Sequence, residues 1–115
     1  MKESEIEKVL VTEVRALGGR AYKWTSPGND GVPDRIVIFP DRRPVFVELK
    51  TDKGMLSALQ KAQITRLTGL GQPVEVVRGI SGLAGFFDGQ GYPETAQRIR
   101  SRYLKDAGRK GGGRA

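Results

Sequence analysis

Apolar residues recur at helical spacing from the start of the chain. Ile6, Val9, Leu10, Val14 and Leu17 form one stripe of a helix over residues 3–17, stopped by Gly18-Gly19. Residues 20–25 alternate like a strand and lead into a flexible loop, Ser26 to Gly31, rich in residues that tolerate positive φ. Two β-rich runs follow, Ile36–Phe39 and Val45–Leu49, joined by the polar turn Pro40-Asp41-Arg42-Arg43-Pro44, which is a hairpin pattern. A polar loop, Thr51 to Gly54, precedes a helix up to Leu70 whose buried face is marked by Leu56, Leu59, Leu67 and Leu70. Gln60 and Gln63 fall inside that face. Pro73 opens a strand over residues 74–77, and a short helix over 81–88 places Leu83, Phe86 and Phe87 inward. The order is helix, three strands, helix, strand. A crossover helix lets the last strand join in parallel, so the class is α/β, a mixed sheet flanked by helices.

Gly89 and Gly91 mark a boundary between a domain of residues 1–90 and an extension of residues 91–115. In the extension, Pro93 suits the first turn of a C-terminal helix, with Ala96, Ile99 and Tyr103 on one side and Arg98, Arg102 and Lys105 away from it. The tail from Gly108 to Ala115 is Gly-rich, basic and expected to be mobile.

Charge sharpens this division. The 115 residues carry a net +7, a magnitude that points to a polyanionic partner. Residues 91–115 hold seven Lys/Arg against two acids, whereas residues 1–90 hold thirteen against eleven. The body is therefore close to balanced, and its extension is a basic arm. No apolar run approaches the roughly 20 residues that span a bilayer, and the charged N-terminus is unlike a signal peptide, so a cytoplasmic protein without membrane contact is expected. Cysteine and histidine are both absent, which excludes disulfides, thiolate zinc sites and histidine catalysis. A metal would have to be held by oxygen, favouring Mg²⁺, Mn²⁺ or Ca²⁺.

The acidic residues then become informative. Asp34 lies at the mouth of the first hairpin strand, and Glu48 and Lys50, two apart in the second, share a face opposite Val45, Val47 and Leu49. Two carboxylates and an ammonium thus meet at one end of a hairpin. Carboxylates that converge raise each other's pKa unless a cation intervenes, and a divalent ion would be the economical solution. Such an ion polarises phosphoryl oxygens, with Lys50 placed to stabilise developing charge. In the first helix, Glu3 and Glu5 suit an N-terminal turn. Glu13 falls inside the apolar stripe and Glu7 on its edge, and each needs a partner or a cation. Lys23 or Arg35 is the ordinary salt-bridge partner. Gln60 has a local explanation in the capping box Ser57-x-x-Gln60. Trp24 reads either as a core anchor or as a stacking platform at the site rim.

Pro33-Asp34 with Glu48-Leu49-Lys50 resembles the PD-(D/E)xK nuclease pattern. The wider run is similar to the VRR-NUC branch of that superfamily: Lys23 to Gly28, Gly31 to Arg35, Phe46 to Lys50, and Leu56-Ser57-x-x-Gln60. The resemblance covers residues 3 to about 88. It implies a restriction-endonuclease-like αβββαβ core and Mg²⁺ or Mn²⁺ dependence. It also implies structure-selective cleavage of branched DNA, with homodimers able to resolve Holliday junctions. By position it makes Asp34 and Glu48 metal ligands, adds the Leu49 carbonyl, and makes Lys50 the catalytic lysine with Gln60 beside it. The helix glutamate of the family matches Glu7 best, with Glu13 in reserve. Lys23, Ser26, Arg35, Arg98 and Arg102 are candidate DNA contacts. Rival readings are a flap, fork or single-strand nuclease within a larger assembly, and a catalytically inert DNA-binding module of the same fold.

Overall fold

The computed structural model describes residues 1–104, so Lys105 and the tail from Gly108 lie outside the described residues. The elements, in order, are α1 (Glu3–Ala16), β1 (Arg20–Lys23), β2 (Arg35–Ile38), β3 (Val45–Lys50), α2 (Ala58–Gly69), β4 (Val74–Arg78), α3 (Gly79–Gly89) and α4 (Pro93–Tyr103). One sheet of order β1-β2-β3-β4 organises them. β1 and β2 pair antiparallel, as do β2 and β3, and β3 pairs with β4 in parallel through the α2 crossover. The α/β class and the mixed sheet therefore follow the expected pattern. The last short helix starts two residues earlier than expected, and β1 ends before Trp24.

The core lies on one face of the sheet. Val37, Val45, Val47, Leu49 and Val77 point there and meet Ile6, Leu10 and Val14 of α1 and Leu83 and Phe87 of α3. Helix α4 closes the same core with Ala96 and Ile99, both fully buried, so this part of the extension packs as an integral layer. At about 25 cal/mol per Å² of apolar surface removed from water, these side chains supply the main stabilisation of the sheet.

The opposite face is covered more thinly. Helix α2 buries no residue fully, and Leu59 and Leu70 are 56% and 70% exposed. The expected leucine face is therefore corrected. The inward direction centres on Gln60, Gln63, Ile64 and Leu67, which leaves Leu59 and Leu70 at or beyond its rim. Trp24 is half-buried on this side of the molecule, its ring 5.2 Å from that of Phe46.

Candidate active site

The β2–β3 antiparallel pair sets the site. Asp34 immediately precedes β2, and its carboxylate Oδ2 accepts a hydrogen bond from the Leu49 backbone N–H at 2.7 Å. That bond fixes Asp34 against the strand that carries Glu48. Leu49 thus meets Asp34 through its N–H. Strand alternation sends Leu49 into the core and Glu48 to the other face, beneath the start of α2.

There Glu48 is only 1% exposed. Its Oε2 accepts from Gln60 Nε2 at 2.9 Å and lies 4.0 Å from Lys50 Nζ. Its Oε1 is buried without any hydrogen-bond partner. Burial raises the Glu48 pKa, followed by the charge of Asp34, while Lys50 lowers it. Smaller rises come from Glu3 and from the close approach of the Asp34 carboxyl group, and the outcome is about 8. Near neutral pH Glu48 accordingly holds its proton, because burial and the neighbouring Asp34 charge outweigh the nearby Lys50 ammonium.

Gln60 has two tasks at once. Its Oε1 accepts from the Ser57 backbone N–H at 2.9 Å, completing the capping box with the Ser57 hydroxyl, while its amide nitrogen holds Glu48. The loop before Asp34 presses on the same helical turn. Gly31 adopts φ +88°, and a Cβ there would come within 2.6 Å of the Leu59 carbonyl carbon and oxygen. Gln63 Nε2 reaches the Asp30 carbonyl at 3.3 Å, so the second inward glutamine ties α2 to this loop.

The α1 glutamates Glu7 and Glu13 each have a cationic partner. Glu7 accepts from Arg35 Nε at 2.8 Å and lies 3.9 Å from Lys23 Nζ, so it is committed to a salt bridge. Glu13 is buried and accepts from Arg98 Nη2 at 2.6 Å. The α1 carboxylate whose charge reaches Glu48 is Glu3, in the first turn. Sequence reasoning passed over Glu3 because a first-turn acid already has a reason to exist in the helix dipole.

Among the candidate DNA contacts, the structure brings Lys23 and Arg35 together around Glu7. Ser26 belongs to the loop, its hydroxyl accepting from Asn29 Nδ2 at 2.9 Å. Arg98 is held by Glu13, and Arg102 is exposed on α4.

Asp34 and Glu48 suit a divalent cation. They offer hard carboxylate oxygens, a buried Oε1 with no donor, and a raised pKa that a positive charge would relieve. Among the described residues no three acidic side chains close on one point.

Known proteins share the sequence pattern of this chain. The VRR-NUC domain family matches residues 4–80. A protein named "Putative nuclease p44", from Acyrthosiphon pisum secondary endosymbiont phage 1, is 46% identical over 77 residues, covering 67% of this chain and 83% of that protein. Two solved structures, one described as a VRR-NUC domain and one as a VRR-NUC domain protein, superpose with TM-scores of 0.63 and 0.64. At 24% and 20% identity, over 88% and 83% of this chain and 96% and 90% of theirs, they speak for the fold alone. With the family pattern spanning the helix, the hairpin and the crossover that carry Asp34, Glu48, Lys50 and Gln60, this chain belongs to the VRR-NUC domain family.

Proposed function

We propose that this protein is a metal-dependent endodeoxyribonuclease that hydrolyses phosphodiester bonds in branched DNA. The observation that carries the reading is the buried, partnerless Glu48 Oε1 beside Asp34, a cation-shaped deficit at the end of a hairpin. Asp34 and Glu48 would hold Mg²⁺ or Mn²⁺, with the Leu49 carbonyl as a further oxygen. Glu7, matched by the resemblance to the helix glutamate, pairs with Arg35 and would act on the ion through water, while Glu3 adds negative charge toward Glu48. The bound ion supplies Lewis acidity toward a phosphoryl oxygen and a more acidic water. Lys50, 16% exposed at its side chain, faces the same pocket and stabilises negative charge developing on the phosphate. Gln60 keeps Glu48 in one orientation, so that its second oxygen remains directed into the pocket.

Resolving a four-way junction requires paired nicks, and a two-fold dimer supplies two such sites. Met55, Leu59 and Leu70, before, on and just after α2, are apolar area that a second copy would cover. The test is incubation of the purified protein with a labelled four-way junction and Mg²⁺, alongside flap, fork, single-strand and duplex substrates. Symmetric junction cuts that disappear in Lys50→Ala support the proposal. Cleavage confined to flaps or single strands would replace junction resolution with that narrower activity, and no cleavage of any substrate would leave a DNA-binding module.

A further inference from the structure

A second feature lies along the seam between α1 and β1. A groove of about 310 Å³ is lined there by Val11 and Arg15 of α1, by Arg20, Tyr22 and Lys23 of β1, and by Arg35 of β2. Four cations surround one concavity. Glu7 answers Arg35 and stands near Lys23, but Arg15 and Arg20 form no ion pair among the described residues. Placing two guanidinium groups around a shared cavity without a carboxylate costs repulsion that a bound anion removes.

The groove also has a direction. Its inner end is at Lys23, which pairs in register with Arg35, the residue next to Asp34, and the Trp24 N–H donates to the Asp34 carbonyl at 3.0 Å. Its outer end is at Arg20, opposite Ile38. Arg20 and Lys23 are three strand residues apart, about 10 Å. On α1, Lys8 lies two turns before Arg15 on the same helical face, which extends the basic line toward the helix N-terminus and Glu3. Tyr22, 56% exposed, presents an aromatic ring within the groove, a surface suited to a sugar or an unpaired base.

We propose that the α1–β1 groove binds the sugar–phosphate backbone of a DNA strand leading into the site, with Arg15 and Arg20 contacting phosphates beyond the one being cut. This rests on the nuclease reading above, and it assigns the contact to residues outside the Asp34–Glu48–Lys50 constellation. Both arginines are exposed, so their removal leaves the core intact.

The experiment measures binding of a fluorescent branched DNA by anisotropy over a salt series in EDTA, where no metal supports cleavage. The full-length chain is compared with Arg15→Ala/Arg20→Ala and with Arg43→Ala, which removes a cation at the far, β2–β3 turn. The double variant is expected to bind at least tenfold more weakly near 100 mM salt. Its log Kd against log salt slope should fall by about 0.7–0.9 per lost contact, while Arg43→Ala leaves the slope unchanged. An unchanged slope in the double variant, or an equal loss in Arg43→Ala, would overturn the groove. Cleavage of the same DNA with Mg²⁺ is scored separately. An active enzyme with an unchanged slope refutes only the groove, whereas an inactive protein with a reduced slope refutes only the nuclease.

Discussion

Glu48 carries the largest electrostatic stress found at the site. Its folded pKa of about 8 lies above the ordinary 4.5, so the folded protein holds a proton that the unfolded chain releases. The stabilising contribution is complete below pH 4.5 and is lost as pH rises through about 8. In EDTA, Glu48→Gln should therefore gain on the natural protein between those limits, by about 1.4 kcal/mol per pH unit at most, and show no gain in acid. Thermal melts of the two proteins across pH check this, and parallel curves would contradict it. Lys50 lies beside Glu48 with its side chain 16% exposed. Lys50→Ala should cut turnover by about 10²–10³ while DNA affinity, from binding titrations, stays within a few-fold. These side chains were legible because strand alternation fixes which face each one takes. Glu3 was not, since sequence carries no statement of which turn of α1 meets β3. Glu7 and Glu13 were correctly marked as acids needing partners, and Arg35 and Arg98 fill that need.

Among the elements, α2 is positioned by polar bonds more than by buried area. Its first turn is fixed by Ser57 and Gln60, by the Gln60–Glu48 bond, and by the close approach of Gly31. Gly31→Ala should therefore cost about 1–3 kcal/mol, from the positive φ and the collision with α2, and reduce cleavage further by displacing Gln60. Melting curves and single-turnover rates on the same variant separate these two losses, and an unaltered rate would contradict the coupling. The hairpin and crossover were readable because periodicities of two and of 3.6 are locally encoded. The orientation of α2 was not. Counting leucines assumes that the apolar side is the inward side, whereas here the inward side contains the two glutamines that bind Glu48 and the Asp30 carbonyl.

For the whole molecule, the C-terminal helix belongs to the core. Ala96 and Ile99 bury against it, and Arg98 neutralises the buried Glu13 of α1 across the longest sequence separation of any side-chain bond described. Arg98→Ala should lower the melting temperature, by about 1–3 kcal/mol of stability, because it strands a buried carboxylate. It should leave the salt dependence of DNA binding unchanged, a result anisotropy titration can contradict. The basic character of the extension was visible in composition, but which of its arginines fold the protein depends on where α1 ends. Among the described residues no helix is long and apolar enough to cross a membrane. Asp34 and Glu48 forming an oxygen site for a divalent ion is tested most directly by Mn²⁺ calorimetry at pH 7 in two buffers of different ionisation enthalpy. Binding should release close to one proton, the one Glu48 holds, and disappear in Asp34→Asn and Glu48→Gln. Absence of Mn²⁺ binding, or binding that survives both substitutions without proton release, would contradict it.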